Sequence, residues 1–217
     1  MGFNKIMEPL ADVPVLVHTI RRFDMIEEVT GIILAVNPGC EEQVRRDIVE
    51  KYSLAKVTQV VAGGETRVDS VWNALQAIDT QPDIVAVHDA ARPFVSRAVI
   101  RDSIAAAGTH GGAIVADPVV PTIKEVNDSV VITRTIDRHM LRAAATPQAF
   151  QYSIFLDAFT RFMQSECDSS TITDDAQIIE QAGGTVICVD SNPENIKLTT
   201  PFDWQLAQAC GREWLLQ

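Results

Sequence analysis

The sequence predicts an α/β fold in which a parallel sheet is covered by helices and interrupted once by a β-hairpin. Three observations lead there: short β-branched runs alternate with segments of helical period, the apolar positions between runs fall on single helix faces, and one stretch breaks the rhythm. The strand candidates are Gly31–Val36, Val57–Val61, Ile84–His88, Ala113–Ala116 and Val186–Val189. Between the first two, Val44, Ile48, Val49 and Tyr52 recur at helical spacing; between the next two, Val68, Val71, Trp72, Leu75 and Ile78 trace one apolar face. Each passage is a βαβ-like unit. Ser96 is placed to cap a further helix through Val99, Ile100 and Ile104.

From Val119 to Arg134 the rhythm breaks. TIKEV and VVITR flank Asn127 and Asp128, a turn pair between two β-prone runs, so the stretch reads as a hairpin arm projecting from the sheet and suited to dimerisation. Helices follow at Tyr152–Gln164 and Asp174–Ala182, the second stopped by Gly183 and Gly184. The last helix has Thr200 as its N-cap, Pro201 at its first position and Asp203 in its first turn.

A chain of 217 residues suits one domain with a core of its own, without disulfides or structural metal. Cys40, Cys167, Cys188 and Cys210 are scattered singletons with no CxxC pair, which reads as reduced thiols. The net charge of −11 opposes general binding to nucleic acid, which requires clustered cations. No run of about 18 apolar residues appears, so no membrane span is expected. The opening MGFNKIMEPL lacks the basic region and apolar core of a secretory signal, and a cytoplasmic location is expected. Serine-hydrolase, zincin and P-loop motifs are absent.

In open α/β sheets the ligand crevice lies beyond the carboxyl ends of the strands. VAGGETRVDSVWNAL puts Gly63 and Gly64 before a helix, where backbone can approach a ligand and Arg67 and Ser70 can reach it; a plain tight turn is the alternative. VHDAARPFV brings His88, Asp89 and Arg92 together. Asp89 there can hold a hard cation and Arg92 a ligand, or the two can form a structural ion pair, with His88 a satisfied strand-end residue. RTIDRHMLRAAATPQAF carries Arg138, Arg142 and Thr146, a local anion site or solvated surface arginines. SNPENIKLTTPFDW places Lys197 just before the last helix, where an ammonium can steady a phosphate. TDDA, Thr173 to Ala176, reads as an acidic helix start. Together these describe an α/β enzyme handling an anionic ligand.

The blocks GGETRVDSV, VHDAARP, VPTIK, IDR followed eight residues later by TPQ, TDDA and NIKLTTPFD, in this order, resemble the 2-C-methyl-D-erythritol 4-phosphate cytidylyltransferases across essentially the whole chain. The resemblance implies a Rossmann-like, mostly parallel sheet with helices on both faces and a protruding β-hairpin arm, in a single domain of residues 1–217 whose arm, residues 119–141, joins a homodimer. It implies transfer of CMP from CTP with magnesium as cofactor. The acceptor phosphate attacks the α-phosphorus and diphosphate leaves, a transfer that rests on positioning and charge stabilisation. A ribitol-5-phosphate cytidylyltransferase is the neighbouring reading, and a silent nucleotide-binding scaffold is a third.

Carried onto this chain, the family pattern makes Lys5 the N-terminal catalytic lysine and Asp89 the carboxylate for magnesium and CTP, with Arg92 supporting its loop. Gly63, Gly64, Glu65 and Ser70 form the cytosine- and ribose-recognising turn, with Glu65 where many members have Asp. Thr122, Arg138 and Thr146 match acceptor-side positions, and Lys197 the lysine that orients the acceptor phosphate. The family's first strand and glycine-rich loop precede the position of Met1, and Pro121 stands before Thr122 where an aspartate is usual.

Overall fold

The apolar pattern lays down helices first. In a computed structural model describing residues 4–165 and 167–215, which leaves out the first three residues of the MGFNK opening, the first described element is helix α1 (Asn4–Met7). A ribbon of β1 (Pro9–Leu10) and β2 (Val13–Pro14) leads into helix α2 (Val15–Asp24). The sequence patterns above do not single out α2, because VPVLV reads as β-branched and proline-bound. Yet Val15, Leu16, Val17 and Ile20 are all buried on it, and Leu16, Val17 and Ile20 pack against Val44 and Ile48.

Strands β3 (Ile32–Val36) and β4 (Val57–Ala62) pair in parallel. Between them α3 (Glu41–Val44) continues as a wider π-helical stretch, Arg45–Glu50. After β4 come helix α4 (Arg67–Gln76) and strand β5 (Ile84–Val87), then helix α5 (Arg97–His110) and β6 (Gly112–Pro118). Ser96 caps α5 as its position predicts, its hydroxyl accepting the Val99 N–H.

The larger ladder runs β10–β6–β9–β5, with β9 at Arg142–Gln151 and β10 at Ile187–Asp190. β10 and β6 are parallel, whereas β9 opposes both β6 and β5. No strand is expected at β9: Ala143–Ala145 favour helix, and Pro147 argues against an interior strand. A bulge reconciles them. Ile114 pairs with Gln148 and Ala116 with Ala144, leaving residues 145–147 across from Val115, where the missing N–H of Pro147 breaks no ladder bond. Among the described residues no ladder joins β3 to β5.

The sheet is covered on both faces because strand side chains alternate. Ala113 and Ala149 face Ala107 of α5. Their neighbours Ile114 and Phe150 face Phe155, Ala158 and Phe159 of helix α6 (Tyr152–Gln164) and Ile178 of helix α7 (Asp175–Gln181).

The hairpin forms where Asn127 predicts it. Strands β7 (Ile123–Val126) and β8 (Ile132–Ile136) pair only with each other among the described residues, and Asn127 Oδ1 accepts the N–H groups of Ser129 and Val131 to close the turn. Helix α8 (Pro201–Trp214) starts on Thr200 with a capping box to Asp203.

Candidate active site

Strand β5 delivers His88 and Asp89 just beyond its carboxyl end. The His88 ring lies 4.8 Å from that of Phe23. Its Nε2 faces the Arg92 carbonyl at 3.1 Å, and a carbonyl only accepts, so Nε2 carries the hydrogen. Nδ1 is then bare and accepts the Thr146 hydroxyl at 3.0 Å, and that hydroxyl oxygen accepts the Asp89 N–H at 3.1 Å. Burial lowers His88 to about 4. It is the satisfied strand-end residue of the structural reading, and its bonds fix the backbone of Asp89.

Asp89 sits between two cations. Its Oδ2 is 3.0 Å from Lys197 Nζ and accepts Arg92 Nε at 3.3 Å. Burial pushes this carboxyl up, but Lys197 and then Arg92 outweigh it and hold Asp89 below its ordinary value. The ion pair of the structural reading is therefore present, with Lys197 as a third member. Asp89 Oδ1 makes no hydrogen bond among the described residues. Leu198 N–H donates to the Ala91 carbonyl at 2.9 Å, binding the loop after β10 to the loop after β5. Lys5 Nζ reaches the Thr199 carbonyl at 3.4 Å. Asp89, Arg92, Thr146 and Lys197 are thus brought together, and Lys5 touches the following segment at Thr199. Helix α2 holds the same loop from behind: Thr19 Oγ1 donates to the Ala90 carbonyl at 2.8 Å and Arg22 Nε to the Pro93 carbonyl at 3.1 Å.

The glycine turn is built for close approach. Gly63 N–H donates to the Val36 carbonyl at 2.6 Å, and a Cβ on Gly64 would collide with the Asp69 side chain. Ser70 Oγ accepts the Gly64 N–H at 3.0 Å and donates to the Thr66 carbonyl, so Ser70 shapes the turn. Glu65 is exposed at its tip. Arg67 is engaged within the protein. It forks onto Asp175 at 2.9 and 2.5 Å, and the Asp175 side chain is fully buried. Burial raises the Asp175 carboxyl, with the Arg67 fork opposing it. The reading of TDDA as an acidic helix start holds: Asp174 caps α7 and Asp175 stands in its first turn, where it also receives the Arg67 fork. Gln148 Oε1 accepts the Asp175 and Ala176 N–H groups, tying α7 to β9.

Thr122 and Arg138 stand exposed on the arm. Arg138 donates to the Val120 carbonyl and, with His139 and Arg142, borders a cleft of about 380 Å³. No hydrogen bond links these residues to Asp89 among the described residues. A cleft of about 440 Å³ beside Asp83 and Ile84 lies at the start of β5, away from Asp89. Sequence reading missed Asn195, which is 3% exposed and donates through Nδ2 to the Thr146 carbonyl at 3.0 Å. Its only signal is an amide two residues before Lys197.

A half-buried carboxylate clasped by an arginine and a lysine beyond the end of β5, in a fold that also carries a glycine turn opening a helix, suits a nucleotide's phosphates. The fold and this arrangement define an α/β nucleotidyltransferase. The chain belongs to the IspD family, 2-C-methyl-D-erythritol 4-phosphate cytidylyltransferase, whose profile matches residues 1–213. It is 39% identical over 206 residues to the enzyme of that name from Alkaliphilus oremlandii, covering 95% of this chain and 86% of that one. Against the one from Syntrophotalea carbinolica it is 43% identical over 207 residues, covering 95% and 87%. Among solved structures, 4-diphosphocytidyl-2C-methyl-D-erythritol synthase from Anaerococcus prevotii superposes with a TM-score of 0.87 at 28% identity, covering 97% and 94%. The cytidylyltransferase from Thermus thermophilus superposes with a TM-score of 0.78, also at 28% identity, covering 97% and 95%. The Rossmann-like α/β class expected from the resemblance is borne out. No helix among the described residues is long and apolar enough to cross a membrane.

Proposed function

We propose that the chain transfers CMP from CTP to 2-C-methyl-D-erythritol 4-phosphate. A phosphate oxygen of the acceptor forms a bond to the α-phosphorus, the bond from that phosphorus to the β-phosphate bridging oxygen breaks, and diphosphate leaves with the electron pair. The observation that carries this reading is the Asp89 carboxylate held by Lys197 and Arg92 in a chain of this family. Lys5, Arg138 and Lys197 supply the cations that balance charge on the phosphates in the transition state. Gly63, Gly64, Glu65 and Ser70 form the cytidine side, with Asp89 and Arg92 beneath the triphosphate. Thr122, Arg138, Thr146 and Lys197 form the acceptor side.

Magnesium fits this donor set through one carboxylate. No group of three or more potential metal-ligating residues is present among the described residues, but magnesium commonly takes one or two carboxylates and completes its shell with substrate phosphates and water. Asp89 Oδ1 is available for that, and the ion would supply charge neutralisation at the triphosphate. The exposed apolar arm, with Val120, Val130, Val131, Ile132 and Met140, suits a homodimer.

The test is diphosphate release with CTP, magnesium and either 2-C-methyl-D-erythritol 4-phosphate or ribitol-5-phosphate. Turnover with the former alone is expected. Turnover with ribitol-5-phosphate alone overturns the acceptor assignment, and CTP binding without turnover by the folded protein supports the scaffold reading instead.

A further inference from the structure

We propose that Asn195 is a positioning residue that holds the acceptor-side groups Thr146 and Lys197 in one geometry. This rests on the reading of Lys197 and Thr146 given above and extends it to a residue that touches neither substrate.

Asn195 is 3% exposed and lies where the loops after β5 and β10 meet the bulge of β9. Its Nδ2 donates to the Thr146 carbonyl at 3.0 Å and to Ser191 Oγ at 3.2 Å. Its own carbonyl accepts Arg92 NH1 at 2.8 Å. Thr146 is thereby held from both ends, by Asn195 at its carbonyl and by His88 and Asp89 at its hydroxyl. Two residues on, Lys197 reaches Asp89, and Leu198 is pinned to Ala91. The segment carrying the Lys197 ammonium therefore takes its register from Asn195 on one side and Leu198 on the other.

The other face of the amide shows what the position selects for. Asn195 Oδ1 is buried without a hydrogen-bond partner among the described residues, which is destabilising. Turning the amide over would not repair this, because Oδ1 would then face the Thr146 carbonyl, two acceptors together. The side chain tolerates an orphan acceptor so that its two donors reach Thr146 and Ser191. That choice favours geometry at Thr146 over local stability.

The experiment is steady-state kinetics of Asn195→Ala, Asn195→Asp, Lys197→Ala and the Asn195→Ala/Lys197→Ala double variant, with thermal midpoints for all four. Small misplacements in a phosphoryl-transfer site reduce rates by about ten- to a hundredfold. Asn195→Ala should lower kcat/KM for the acceptor on that scale while the KM for CTP stays within about twofold. In the Lys197→Ala background the same substitution should change turnover little while still lowering the thermal midpoint, the non-additivity expected of groups acting as a unit. Asn195→Asp keeps the side-chain shape and sets an acceptor against the Thr146 carbonyl, so below its own thermal midpoint it should reproduce the acceptor-side loss. Normal turnover by folded Asn195→Asp, equal loss on the CTP side, or full multiplicative loss in the double variant overturns the inference. Near-normal turnover by Lys197→Ala removes the Lys197 assignment itself and the inference with it.

Discussion

Lys197 stands 3.0 Å from Asp89 on a side chain that is 44% exposed, so it contributes little as a surface pair to stability and is free to turn toward a phosphate. Lys197→Ala and Lys5→Ala are each expected to lower kcat by about 10²–10³, the scale of losing one preorganised electrostatic contact, with thermal midpoints near that of the parent. Diphosphate release beside a melting curve checks both, and near-normal turnover in either ends its assigned role. The meeting of Lys197 with the Asp89 loop was legible because motif order carries it. Arg67 and Asn195 were not: Arg67 meets Asp175 across 108 residues and Asn195 meets Thr146 across 49, and local spacing contains no trace of either bond. Removing Arg67 leaves the Asp175 carboxylate buried and alone. Arg67→Ala should destabilise the protein by about 3 kcal/mol, read by urea unfolding, and joint replacement by Arg67→Met and Asp175→Leu should recover part of that loss. If Arg67→Ala unfolds like the parent, the pair is not what joins α4 to α7.

Helix ends were the most legible elements, because a cap is a local contract between a side chain and backbone N–H groups three residues away. Ser96, Asp174 and Thr200 all cap their helices. Strand β9 was not legible, since its alanines and Pro147 are accommodated only by the bulge opposite Val115, a property of the partner strand. The cap on α8 also reaches the site, because Asp203 Oδ2 accepts the N–H groups of Thr199 and Thr200, and the Thr199 carbonyl receives Lys5. The Thr200 N–H, foremost among these bonds, lowers the Asp203 carboxyl to about 2 from an ordinary value of 3.8. Between those values the unfolded chain binds more protons than the folded one, so the stabilisation is fully present above about pH 4 and is lost as pH falls through about 2. Acid titration of the parent against Asp203→Asn should show this extra loss of stability in the parent alone. Parallel curves would mean that the cap does not titrate with folding.

At the scale of the whole molecule, the arm is the feature that the rest of the chain does not account for. A two-stranded hairpin is marginal by itself in water, yet β7 and β8 pair with nothing else among the described residues, and Val130 and Val131 are 77% and 58% exposed beside Ile132 at 59%. The same arm carries Thr122 and Arg138, proposed acceptor-side positions that make no hydrogen bond to the Asp89 cluster among the described residues. The proposed dimer would answer both facts: a second copy would cover the apolar face, and pairing would steady the proposed acceptor-side residues. Val131→Glu with Ile132→Glu would bury carboxylates in such an interface, which should weaken the dimer by about a hundredfold or more. Sedimentation should then show a dimeric parent and a monomeric variant, and the variant's KM for the acceptor should rise while its KM for CTP changes little, because the cytidine-side turn is built by β4 and α4 far along the chain from the arm. A parent that sediments as a monomer, or a variant that remains a dimer, would assign the exposed valines some other partner; a monomeric variant with unchanged acceptor kinetics would separate assembly from the acceptor site.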